Sequence, residues 1–235
     1  MEHYYKIAGL TVVMDSYGRT EKQAIPYLAE MVTVPDIRVV SYKDRMKEID
    51  PRLTDDDAEY LGTGAGFYLE LLKFDGFQLH SSAVVVDGRA YLFSAHSGTG
   101  KSTHTGLWMK MLGEKAYILN DDKPALRLID GTWFAFGTPW SGKHDISVNT
   151  GVPVAGICML ERGEQNQIVR FAGKEAIFEV FVQTNRPKSA ANRIKLLELL
   201  DKLFIDVPVW KLKCNMEPEA AIVSYEAMSG EKWRN

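Results

Sequence analysis

The stretch Ser94-Ala95-His96-Ser97-Gly98-Thr99-Gly100-Lys101-Ser102-Thr103 constrains the fold of this 235-residue chain more than any other. An apolar run, Tyr91-Leu92-Phe93, leads into it, and a helix-forming segment through Leu112 follows. Strand, glycine turn and helix in direct succession aim the N–H groups of the turn and of the first helical turn into one concavity. Gly98 and Gly100 allow that turn to be tight. This is the setting of the pattern G-x-x-x-x-G-K-[ST], a P-loop. Residues Ser97, Gly98, Thr99, Gly100, Lys101, Ser102 and Thr103 are then the expected nucleotide contacts. Lys101 would reach the β- and γ-phosphates of ATP and the Ser102 hydroxyl would ligate Mg²⁺. The pattern asks for glycine at position 95, where the chain has Ala95. The blander alternative is a Gly/Ser turn before a helix, and the register of all three pieces weighs against it.

Nineteen residues after Ser102, the apolar run Ala116 to Leu119 ends at Asn120-Asp121-Asp122. A carboxylate at a strand end beside a phosphate loop suits Mg²⁺, which takes oxygen ligands. Two adjacent aspartates allow a division of labour: one holds the metal, directly or through water, and the other accepts the proton of an attacking hydroxyl. Without the loop upstream, the pair would read as a solvated acidic turn.

Composition removes other classes of function. The chain is 46% hydrophobic and 25% charged, as folded proteins are. Its net charge of −3 lacks the basic face of a nucleic-acid binder. Two cysteines are too few for a disulfide framework, and no His/Cys spacing fits zinc. No apolar run approaches the roughly 20 residues of a membrane span. The N-terminus also lacks the basic and apolar regions of a signal peptide. The expectation is a cytoplasmic protein that engages neither membrane nor nucleic acid.

Along the chain, residues 4–14 and 37–42 read as strands with a helix over 22–31 between them. Thr54 and three aspartates open a helix near residue 55. Gly62, Gly64 and Gly66 leave open whether that helix continues. Asp87-Gly88 and Asp130-Gly131 each join two apolar runs as a tight hairpin. Residues 153–160 and 207–212 read as strands, a helix carries Leu196, Leu197, Leu200, Leu203 and Phe204 on one face, and a last helix covers 218–228. Hairpins among helices predict an α/β protein with a mixed sheet. The expected division is a small N-terminal subdomain over 1–75 and a P-loop domain over 76–235.

On these residues the chain resembles the HPr kinase/phosphorylase-like family, whose core fold is shared with phosphoenolpyruvate carboxykinases. His80 in Leu79-His80-Ser81-Ser82 matches the histidine such proteins carry ahead of the P-loop hairpin. Ser97 to Thr103 matches their S-G-x-G-K-S form, and Asn120-Asp121-Asp122 their paired aspartates. Gly137 to Lys143 and Leu160-Glu161-Arg162-Gly163 look like a loop and a strand end of related proteins. The resemblance spans about residues 78–213. It implies the mixed-sheet P-loop fold of the HPr kinase C-terminal domain, with Lys101 and Ser102 on phosphate and metal. It also implies Asp121 as general base and Asp122 as metal ligand, and it gives His80 a role beside them.

The segment Gly137 to Thr150 reads as an open loop with Trp140 exposed, a candidate lid whose Lys143 would neutralise γ-phosphate charge. Arg162 and Arg186 are weaker candidates, His96 and His104 read as structural, and Tyr4/Tyr5 and Phe178/Phe181 as core aromatics. Together these features predict an ATP- and Mg²⁺-dependent kinase acting on a hydroxyl, foremost a serine of a peptide or small protein. A kinase of small metabolites and a nucleotide-binding module without turnover are the alternatives, and self-association into a homo-oligomer stays open.

Overall fold

The computed structural model describes residues 2–32 and 34–234. The chain begins with a hairpin, β1 (Glu2–Ile7) and β2 (Leu10–Asp15). A single strand over 4–14 is thus corrected to two. The turn lies at Ala8 and Gly9, both at positive φ (53° and 77°), and alanine gives little warning of such a turn. Next come α1 (Gly18–Ala24) and a 3₁₀ turn over Ile25–Tyr27, earlier than the helix expected over 22–31. Pro26 has no N–H to continue an α-helix. Only β3 (Ile37–Arg38) of the strand expected over 37–42 forms, parallel to β2.

Two helices follow, α2 (Lys43–Ile49) and α3 (Asp55–Leu71). The Thr54 hydroxyl caps α3 by accepting from the Asp57 N–H at 3.1 Å. The three glycines do not interrupt α3, because they serve packing. A Cβ at Gly62 would collide with the backbone of Tyr42 and Lys43, one at Gly66 with that of Val40, and Gly64 lies against the Trp140 ring.

The main sheet begins with β4 (Gly76–Gln78), β5 (Ser81–Val86) and β6 (Arg89–Ser94), followed by α4 (Lys101–Leu112). It continues with β7 (Ala116–Asn120), β8 (Ala125–Ile129), β9 (Thr132–Phe136), β10 (Gly151–Arg162) and β11 (Gln167–Arg170). Then come α5 (Gly173–Val182), α6 (Ala190–Asp206), β12 (Val209–Cys214) and α7 (Glu219–Ser229). The strands run β4-β8-β9-β10-β6-β5-β7, with β12 parallel to the end of β10 and β11 beside β12. Parallel and antiparallel pairs make this a mixed α/β sheet. Both Asp-Gly hairpins have positive φ at both turn residues.

All six residues of β5 are buried, since helices cover both faces of the sheet. Val84 and Val86 pack with Trp108 of α4 and Tyr225 of α7, while Ala83 and Val85 pack with Leu196, Leu199 and Leu203 of α6. A separate cluster joins β1, β2 and α3 to Ala125 and Trp140. Tyr5 lies in this core and Tyr4 is half-buried. Phe178 is corrected from core to surface, at 65% exposure. The buried stripe of α5 is Ala176 and Val180, which turns position 178 outward. Among the described residues no helix is long and apolar enough to cross a membrane.

Candidate functional site

β5 runs antiparallel to both neighbours, so its beginning meets the ends of β6 and β7. That register gathers His80 and Ser82, Ser94 and the loop after it, and Asn120-Asp121-Asp122 at one edge of the sheet. In the loop, Gly98 and Gly100 stand at φ 78° and 120°, with no atom within 4 Å of where a Cβ would be. Their need for glycine comes from the backbone alone. Gly100 is the N-cap of α4 and offers no side chain, so no side-chain cap takes up the first N–H groups of the helix. Arg162, at the end of β10, donates to Gly98 O at 2.6 Å and braces the loop from outside. Lys101 Nζ rests 3.2 Å from Ala95 O. Burial lowers the pKa of Lys101, and the nearby Asp122 and Asp121 partly restore it.

Asp121 and Asp122 occupy different surroundings. Asp121 is buried, its Oδ1 accepts from Ser82 at 2.8 Å, and both its oxygens lie 3.4 Å from Ser102 Oγ. Asp122 turns the other way, 3.2 Å from His80 Nε2 and in an ion pair with Lys123. Burial pushes the Asp122 carboxyl up. The His80 hydrogen bond and the Lys123 charge outweigh it and hold the group well below the usual carboxylate range. Asn120 sets this divergence: its Oδ1 accepts from the N–H groups of Asp122 (3.0 Å) and Lys123 (2.7 Å), an Asx turn. Gln183, at the end of α5, completes the His80 shell with Oε1 3.1 Å from Nδ1, and its carbonyl accepts from the His80 N–H at 2.8 Å.

These groups line a cleft of about 570 Å³. His80, Ser97, Gly98, Gly100, Lys101, Ser102, Thr103, Asp121, Asp122 and Lys143 all reach it. Thr99 faces a neighbouring cavity of about 400 Å³ instead, beside Leu107, Leu160 and Met216. Arg186 is exposed and lines neither. His104 is buried with Nε2 2.9 Å from Ser224 Oγ, and burial lowers its pKa to about 4. It holds α4 to α7. The exposed His96 lies 3.5 Å from Gln183 Nε2.

The exposed Trp140 is overturned. Its side chain is fully buried, stacked on Phe67 at 5.0 Å between ring centroids, with Nε1 3.3 Å from Thr63 Oγ1. The segment around it is also tied down, by Gly137 N to Thr150 O, Asp121 N to Ile146 O and Val148 N to Leu119 O. Flanking glycines resemble hinges in sequence, but here Gly137 abuts the backbone of Val148 and Leu119. Gly142, Lys143 and His144 are the residues of this segment that line the cleft.

The far wall of the cleft is what sequence reasoning missed. Arg19, Leu53, Asp57, Tyr60 and Leu61 come from α1, the turn before α3, and α3 itself. Tyr60 OH accepts from the Gly142 N–H at 3.0 Å. Burial pushes its phenol up to about 12, so it stays protonated. No local motif announces Arg19 or Tyr60, whereas the Asn-Asp-Asp turn was open to a reading of Asn120 as its organiser.

No family model matches the chain, and no curated protein matches it in sequence. Among solved structures, the Hpr(Ser) kinase/phosphatase from Coxiella burnetii matches 65% of this chain and 93% of its own, at 13% identity and a TM-score of 0.35. A likeness of that size assigns neither a family nor a reaction.

Proposed function

We propose that the protein is an ATP- and Mg²⁺-dependent kinase that transfers the γ-phosphate to a hydroxyl. The observation that carries the reading is the contact of Ser102 with both oxygens of Asp121, in the first turn of a helix that follows a glycine loop. The donor set suits a metal-bound triphosphate: open backbone at Gly98 and Gly100, an uncapped helix N-terminus, a partly desolvated Lys101, and two hard oxygen donors. Ser102 and Asp121 would hold Mg²⁺, which when bound neutralises charge on the phosphate oxygens. The neighbouring cavity along Leu107, Leu160 and Met216 would take the nucleoside, and Lys143 would meet the γ-phosphate.

On this reading the two aspartates take the opposite order to the one the resemblance implies. Asp121 stands on the metal side, and Asp122 faces the open cleft with His80 behind it. Asp122 orients the acceptor hydroxyl and takes its proton as the oxygen bonds to the γ-phosphorus and the bridging oxygen departs with ADP. Phosphoryl transfer has a loose transition state that asks little of base strength, so a carboxylate held low serves mainly by orientation. His80, fixed by Gln183, is the positioning residue for Asp122. A serine of a peptide or small protein is one acceptor. A small metabolite is the second reading, favoured by the wall that Arg19, Tyr60 and Leu61 raise opposite the loop.

Manganese bound with ATP, followed by electron paramagnetic resonance, tests the order of the pair. Asp121→Asn should weaken Mn²⁺–ATP binding about tenfold or more, and Asp122→Asn should leave it within about threefold of wild type. The reverse result restores the order the resemblance implies, and loss in neither variant removes the metal site from this pair.

A further inference from the structure

The cleft carries a second cationic centre away from the glycine loop. Arg19 lies over the Tyr60 ring, with its guanidinium carbon 3.9 Å from the ring centroid, and Lys123 Nζ lies 5.3 Å from the same centroid. Arg19 is held in place rather than waving in solvent. One of its nitrogens donates to Gly142 O, its backbone N–H donates to Asp56 at 2.8 Å, and the ring beneath it is pinned by Gly142. Among the described residues no carboxylate pairs with its guanidinium. Asp57, the acid on the same wall, is engaged with Thr54 at the start of α3. An oriented guanidinium that lines the cleft with no carboxylate on it is a ready partner for a visiting anion.

The groups that would take the triphosphate, the loop amides, Lys101 and the metal side, come from other elements than Arg19. Gly142, which holds Arg19, packs on Asp122: a Cβ there would meet the Asp122 side chain. Arg19 therefore stands one residue's width from the carboxylate that receives the acceptor hydroxyl.

We infer that the acceptor is a small hydroxy acid whose carboxylate is taken by Arg19 while its hydroxyl faces Asp122. The planar fork of Arg19 fits a carboxylate through two parallel hydrogen bonds, which a single ammonium cannot do. The hydroxyl oxygen gains the γ-phosphoryl group, its proton passes to Asp122, and the products are ADP and a phosphorylated hydroxy acid. This rests on the kinase reading and narrows its substrate class.

The test offers the full-length protein Mg²⁺–ATP with three- to five-carbon hydroxy acids (glycerate, serine, threonine, homoserine), their amides, and a blocked peptide with an internal serine. ADP release and phosphorus NMR report transfer. At least one hydroxy acid should be phosphorylated, with kcat/KM about 10–100-fold above its amide, as expected for a charge-assisted contact. Arg19→Gln should erase that ratio and leave Mg²⁺–ATP affinity unchanged, and Arg19→Lys should restore it in part. The carboxylate-to-amide ratio is read within each variant, so partial unfolding cancels. Amides or the internal serine serving equally well, a ratio that survives Arg19→Gln, or Mg²⁺–ATP bound with no hydroxy acid phosphorylated would each overturn the acceptor class. Failure to bind Mg²⁺–ATP at all would instead remove the kinase reading.

Discussion

Trp140 is a pillar under the candidate site, and its removal should show in stability before it shows in chemistry. The ring is fully buried against Phe67 and Tyr68, and its Nε1 reaches Thr63. Truncating a buried tryptophan to alanine costs about 3–5 kcal/mol, the lost transfer energy plus the cavity left behind. In a protein of this length each kcal/mol shifts Tm by about 2–4 °C, so Trp140→Ala should melt about 6–20 °C below wild type. Trp140→Phe keeps a ring on Phe67 and loses the Thr63 contact and part of the volume. It should fall only about 2–6 °C, for a cost of about 1–1.5 kcal/mol. Differential scanning calorimetry of the three proteins without nucleotide is the assay. An alanine variant melting within about 3 °C of wild type would mean that Trp140 is not packed as described, and would reopen the loop as a moving lid.

Other consequences follow from single contacts. Glu59 is buried between α1 and α3, with Oε2 on Thr20 and Oε1 unpartnered, and burial raises its pKa to about 7. The folded protein keeps this proton where the unfolded chain has released it. Stability should therefore fall as pH rises from about 4 to about 7, and Tm measured across that range should lose this slope in Glu59→Gln. Gly66→Ala drives a methyl group into the Val40 backbone and should cost about 1–3 kcal/mol by urea unfolding; a neutral result would deny the close approach of α3.

What could be read in the sequence was what short windows encode. The two Asp-Gly turns, the glycine loop between strand and helix, and the Asn-Asp-Asp strand end each sit within ten residues. Their local chemistry matches the observed backbone. Misreadings arose where tertiary contact overrode a local cue. Gly62 and Gly66 looked like breaks because their close neighbours, Val40, Tyr42 and Lys43, come from the loop after β3 and the start of α2. Trp140 looked exposed because its partner Phe67 lies on α3, far back in the chain. Arg19 stayed invisible for the same reason. A seven-residue helix with one arginine has no signature until Tyr60 and Gly142 close around it. Which carboxylate lies beside Ser102 is likewise a question of sheet register that no local motif answers.

Titration calorimetry of Mg²⁺–ATP into the wild-type protein and into Lys101→Ala tests whether the glycine loop binds phosphate. Lys101 is the first residue of α4 and lines the cleft, and its loss removes a charged partner of the phosphates. Wild type should bind measurably and Lys101→Ala with an affinity at least about tenfold lower, with both proteins equally stable without nucleotide. Equal affinity in the two proteins, or no binding by wild type, would contradict the reading of this loop as a phosphate site.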